Sequence, residues 1–120
     1  MDFNQYQEES FKTAFFAGKN NPFSEDVKDN TQGVIYCALG LTEEAGEVSG
    51  NVKKLWRDDD LQMTPERKDK MEKELGDTLW YLSALAKMLG LTLEGVAQAN
   101  MDKCVDRKKR GVQHGDGSER

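Results

Sequence analysis

Histidine, proline and cysteine are nearly absent from this chain, which holds one, two and two of them. The single histidine, His114, lies far along the chain, so the Glu-x-x-His motifs of a di-iron helical bundle cannot be assembled. Cys37 and Cys104 stand alone, with neither metal-type spacing nor a disulfide-rich pattern, and read as reduced structural thiols. No apolar run approaches the ~20 residues that cross a bilayer. The opening MDFNQYQEES lacks the positive and apolar regions of a secretory signal. These absences predict a cytoplasmic protein with no membrane partner. Segments that alternate apolar and polar residues with strand chemistry are missing too, which predicts an all-α class.

Hydrophobic residues are scarce at 37%. A domain of this size buries only a modest core, so burial against further copies of the chain is expected to supply the missing apolar contact. The net charge of −5 disfavours broad nucleic-acid binding, and no nucleic-acid partner is expected. Acid concentrates between Glu43 and Asp77, and base between Lys103 and Arg110.

Periodicity predicts four helices. The first runs roughly from Phe3 to Ala17 and ends near Gly18, followed by a loop marked by Asn20, Asn21, Pro22 and Ser24 and a polar stretch through Asn30. The second, roughly Thr31 to Trp56, has the clearest pattern. Val34, Ala38, Leu41, Ala45, Val48, Val52 and Leu55 step by four and three and lay down one apolar stripe. Thr64 and Pro65 are an N-cap and a first helical residue, and a third helix runs from there to about Leu89 with Met71, Leu75, Thr78, Leu82, Ala86 and Leu89 as its stripe. Thr92 caps a fourth, roughly Leu93 to Lys109. The second and third helices are expected to pack antiparallel across their short connection. Residues 1–110 thus form one helical domain of a bundle. The tail Gly111 to Arg120 is Gly-rich and polar, and reads either as a flexible end or as a segment that closes over substrate phosphates.

Two local patterns repeat. Leu41-x-x-Glu44-Ala45-Gly46-Glu47 and Met71-x-x-Glu74-Leu75-Gly76-Asp77 both read apolar-x-x-Glu-apolar-Gly-acid. Acids three apart project from one side of a helix. At about 100° per residue each pair lies beside its apolar stripe, on a second face shared with Gly33, Gly40 and Asn51 in one helix and with Tyr81, Leu85 and Met88 in the other. A single Glu-x-x-Glu on a charged helix is ordinarily solvated surface. Two matched pairs, each with a helix-interior glycine that costs about 1 kcal/mol against alanine, point to a shared space. Four carboxylates gathered there repel one another unless a cation neutralises them. All-oxygen ligands suit Mg²⁺, with Mn²⁺ as a substitute, and Mg²⁺ commonly bridges to phosphates. Asp58-Asp59-Asp60 lacks the spacing of a calcium loop.

Glu43-Glu44-Ala45-Gly46-Glu47 and Glu74-Leu75-Gly76-Asp77 resemble the E-E-x-x-E and E-x-x-D motifs of the MazG-like nucleotide pyrophosphohydrolases, relatives of dimeric dUTPases and dCTP pyrophosphatases. Asp77-Thr78-Leu79-Trp80-Tyr81-Leu82 and the Asn100, Lys103, Arg107, Arg110-Gly111 spacing extend the resemblance. It implies a four- to five-helix bundle, a homodimer or tetramer with helices shared at the interface, and Glu44, Glu47, Glu74 and Asp77 as metal ligands. Glu43 becomes an outer-shell group or the base that helps prepare the attacking water. The implied reaction is attack of a metal-activated water on the α-phosphorus of a nucleoside triphosphate, with pyrophosphate leaving. The residues alone leave open a helical oligomer that senses nucleotides or scaffolds partners without turnover.

Acids repel a polyanion, so cations must complete such a site. Lys54, Lys103 and Arg107 are the candidates for phosphate contact, although a lysine near a helix C-terminus also suits the dipole alone. Tyr81, four residues past Asp77, is the aromatic candidate for the base, with Trp56 the weaker one. Asn100 is a candidate for sugar or phosphate, and Trp80 falls elsewhere around the helix, as core or interface. The dCTP-cleaving relatives carry an aromatic where this chain has Lys54, so their base preference does not transfer.

Overall fold

Helix signals place the elements. In the structure, a computed structural model that describes residues 1–14, 21–23 and 30–120, four α-helices are found among those residues and no strand. α1 spans Phe3–Phe11 and continues as a 3-10 turn over Lys12–Ala14. Its start is a capping box, Asp2 accepting from the Gln5 amide at 2.8 Å while Gln5 Oε1 accepts from the Asp2 amide at 3.0 Å. The predicted extension of this helix to Ala17 and most of the loop that follows lie outside the described residues. α2 spans Thr31–Asp58, α3 Pro65–Met88 and α4 Leu93–Arg110. Thr64 and Thr92 cap as expected, accepting from the amides of Arg67 and Gly95. Gly111 ends α4 at φ 67, a left-handed conformation that suits glycine.

α2 and α3 form the antiparallel pair at the centre, and small residues make their contact. The Tyr81 ring lies so close to Gly40 that an added methyl group would come within 2.2 Å of it, and Met88 Sδ would lie 2.6 Å from a methyl group on Gly33. Cys37 is buried beside them, with Ala84 across the seam, and burial pushes its thiol up to about 11. The contact face is therefore the second face, the one that carries the acids, and not the apolar stripe. Ala38, Ala45 and Val52 of the α2 stripe are exposed, as are Leu75, Leu82 and Leu89 of the α3 stripe. Glycine wins the seam because it lets backbones approach while large rings fill the space. The stripes lie about a quarter turn away. They turn in the same sense on both helices, and because the helices run antiparallel, the two stripes share one face of the hairpin.

α1 docks on α3 from another side. Gln7, buried, donates to the main-chain oxygens of Ser83 (3.3 Å) and Leu91 (3.0 Å) and accepts from the amide of Leu93 (3.1 Å), tying α1 to both ends of the α3–α4 turn. Lys87 pairs with Glu8 at 2.8 Å, and the Trp80 indole donates to the Thr13 hydroxyl at 2.9 Å. α4 is anchored at its start by buried Leu93, whereas every residue from Gln98 to Asp106 is exposed. The arm lengthens the molecule. The radius of gyration is 17.5 Å, against about 14 Å for a compact domain of this length.

Candidate active site

The acids meet midway along the α2–α3 seam. One carboxylate oxygen each from Glu44, Glu74 and Asp77 lies within 4.8 Å of the others. Glu44 and Glu74 are half-buried and Asp77 is exposed. They converge because the Glu-x-x-acid pairs flank a seam held close by Gly40. Partial burial raises the Glu44 carboxyl above the usual carboxylate range, and the charges of Asp77, Glu43, Glu74 and Glu47 push it further up. Glu43 and Glu47 are exposed neighbours of this group, felt through their charge but outside the three-oxygen cluster. Converging like charges with no basic side chain among them is the environment a hard divalent cation suits.

A cavity of about 400 Å³ opens beside the carboxylates, with Glu44 and Asp77 in its wall. The rest of the lining is Thr13, Ala14, Phe23, Tyr36, Trp80 and Tyr81. The rings brace one another edge to face. Phe23 meets Tyr36 at 5.7 Å and Trp80 at 6.4 Å, and Trp80 meets Tyr81 at 5.0 Å. Burial, then a hydrogen bond with Tyr36, raises the Tyr81 hydroxyl far above the usual phenol range, so Tyr81 stays neutral. Tyr6 of α1 is also raised, by burial and then by the charge of Asp77. Such a space, walled by rings with a few hydroxyls and carboxylates among them, has the make-up of a small-molecule pocket.

Tyr81 and three of the four predicted ligand acids come together here. Trp80, expected elsewhere around the helix, packs on the core as foreseen but also lines the cavity, because it stands only three residues past Asp77. Tyr36, two turns before Glu44, carried a weaker local signal. Thr13 and Phe23 come from distant chain and carried none. The predicted phosphate contacts lie elsewhere. Lys54 is half-buried near the end of α2, where its charge helps lower the Asp58 carboxyl after the bond and charge of Arg57, the opposing cost of burial and the charge of Arg67. Trp56 is 73% exposed. Asn100 and Lys103 sit on the exposed arm, with the Cys104 thiol donating to Asn100 at 3.7 Å. The Arg107 guanidinium donates to the main-chain oxygen of Ser118 at 2.5 Å, and Arg120 to that of Gln113 at 3.1 Å, which folds the tail back along the end of α4. None of the described residues lining the cavity is basic.

A family model described as MazG nucleotide pyrophosphohydrolase domain matches residues 32–112, a span that holds both acid pairs. The chain is 38% identical over 120 residues to the Gene 37 protein of Mycobacterium phage L5, covering 100% of each. No solved structure matches it.

Proposed function

The chain belongs to the MazG nucleotide pyrophosphohydrolase domain family, and from that premise we propose that it is a magnesium-dependent enzyme that hydrolyses nucleoside triphosphates, ribo or deoxy, to the monophosphate and pyrophosphate. The observation that carries this reading is the convergence of the Glu44, Glu74 and Asp77 oxygens in the wall of an aromatic cavity. Glu44, Glu74 and Asp77 would hold the cation, with Glu47 one helical turn from Glu44 completing the set. A bound Mg²⁺ supplies charge neutralisation and a more acidic water at the α-phosphorus. Tyr36, Trp80 and Tyr81 stack on the base and keep water from that side of the cleft. Glu43 stands outside the cluster and takes the proton of the attacking water.

Basic side chains must still meet the triphosphate, and the described lining has none. We propose that the working form is a homodimer or tetramer, in which the basic, exposed α4 arm bearing Asn100, Lys103 and Arg107 reaches a neighbouring copy. The tail from Gly111 on then closes over the phosphates once these replace the carbonyls now held by Arg107. The exposed members of the two stripes, Ala38, Ala45, Val52, Leu75, Leu82 and Leu89, share one hairpin face and support this assembly.

The deciding experiment is pyrophosphate release from a panel of NTPs and dNTPs with Mg²⁺, beside Glu44→Gln, Asp77→Asn and Glu43→Gln. Release that is lost in the first two, and reduced about 10²- to 10⁴-fold in the third with metal affinity kept, is the expected result. No release from any nucleotide by a folded, metal-binding protein would leave a sensing or scaffolding oligomer instead. Orthophosphate as the first product would exclude attack at the α-phosphorus.

A further inference from the structure

Arg67 is 8% exposed and carries a charge that cannot be shed. A buried guanidinium persists only where its donors are matched, and its partners here all belong to the end of α2. Its Nε donates to Asp59 Oδ2 at 2.7 Å and its Nη1 to Asn51 Oδ1 at 3.0 Å. Asn51 is itself buried, at 5%, and its amide donates to the main-chain oxygen of Glu47 at 3.1 Å. An unbroken path therefore runs from the first turn of α3 through Asn51 to the turn of α2 that bears the acid pair. Arg67 is pinned from behind as well, its amide donating to the Thr64 hydroxyl at 3.1 Å.

Two features indicate that this path sets geometry rather than adding packing alone. The α2–α3 turn places two successive non-glycine residues, Asp60 (φ 50) and Leu61 (φ 60), in the left-handed region, which costs free energy and persists only where the surroundings enforce it. The Arg67–Asp59 pair spans that turn. In addition, the carboxylates push α2 and α3 apart where they face each other. They lie between two points of close attachment. Gly40 against Tyr81 is on one side, four residues before Glu44 and four after Asp77. Asn51 against Arg67 is on the other, seven residues from Glu44 and from Glu74. A slip of α3 by one residue moves each acid by about 1.5 Å and 100° around its axis, enough to part the three oxygens.

We infer that Arg67, acting through Asn51 and Asp59, is a positioning residue that holds the two acid pairs in the register at which they bind a divalent cation. The inference rests on the metal-site reading above. It is tested by Mn²⁺ binding to the full chain, measured by calorimetry and electron paramagnetic resonance with the metal alone. Arg67→Met and Asn51→Leu are expected to weaken Mn²⁺ binding about 10- to 100-fold while the helical circular dichroism is kept. Arg67→Lys, which keeps the charge but not the two-armed donor, is expected to fall between. Gln7→Ala is the control. It cuts a buried tie between α1 and the α3–α4 turn and lowers Tm, but leaves Mn²⁺ affinity unchanged. Wild-type affinity in both Arg67→Met and Asn51→Leu overturns the inference, as does an equal loss in Gln7→Ala. A wild-type chain that binds no Mn²⁺ overturns the metal site itself, and this inference with it.

Discussion

Glu44 is the residue on which the site's electrostatics turn. Its carboxyl is raised first by partial burial and then by four neighbouring acids. The folded, metal-free chain therefore binds that proton more tightly than the unfolded chain does. The stability this contributes is present at low pH and is lost as pH rises through and above the ordinary carboxylate range. Glu44→Gln removes the loss. In chelator at neutral pH the variant is expected to melt a few degrees above the wild type, and below the carboxylate range the difference is expected to vanish. Mg²⁺ is expected to raise the wild-type Tm and not the variant's. Thermal melts at three pH values, with and without Mg²⁺, check this, and a variant that melts below the wild type in chelator at neutral pH would refute it.

At the scale of the element, glycine has opposite meanings along one helix. Gly40 is required by close approach, since a methyl group there collides with the Tyr81 ring that walls the cavity. Gly46 and Gly76, inside the acid motifs, have open space around them among the described residues. Gly40→Ala is expected to destabilise the chain by about 1–3 kcal/mol through overpacking and to weaken nucleotide binding. Gly76→Ala is expected to raise Tm, because alanine gains about 0.8–1 kcal/mol of helix propensity and meets nothing. A lower Tm or a lost assembly in Gly76→Ala would mean that another copy packs against that turn. The repeated pattern around these glycines was legible in the sequence. Which glycines are seams was not, because the 100° step fixes faces without saying which face meets a neighbour.

For the whole molecule, surface is the informative quantity. The chain exposes 8869 Å², roughly 2,300 Å² more than a compact monomer of its mass. That excess is ample for an obligate homodimer. Leu75, Leu82 and Leu89 of α3 and Val52 of α2 lie on the uncovered face of the hairpin, opposite the side where α1 binds Trp80, Ser83 and Lys87. Sedimentation is expected to find a dimer or tetramer. Val52→Glu, which puts an unpaired charge in that face, is expected to cost about 2 kcal/mol, roughly thirtyfold in the dissociation constant. An unchanged sedimentation profile in Val52→Glu would remove this face from the interface.

The four helices found among the described residues, the Thr64 and Thr92 caps and the two acid motifs were legible in the sequence, because each depends on residues within a turn or two of one another, and the short α2–α3 connection gave the antiparallel pair. Glu74, Asp77 and Tyr81 could be placed on one face of α3, and Glu44 and Glu47 on the matching face of α2, for the same reason. Tertiary structure alone decided that the small-residue face rather than the apolar stripe makes the seam, since the fit of Tyr81 on Gly40 and of Met88 on Gly33 distinguishes two plausible faces. It alone brought Thr13 and Phe23 to the cavity from separate parts of the chain. It also turned Arg67 inward, a residue that in the sequence is one basic side chain among many. Long-range contacts of this kind depend on how the faces of different helices meet, and that information lies in no single segment.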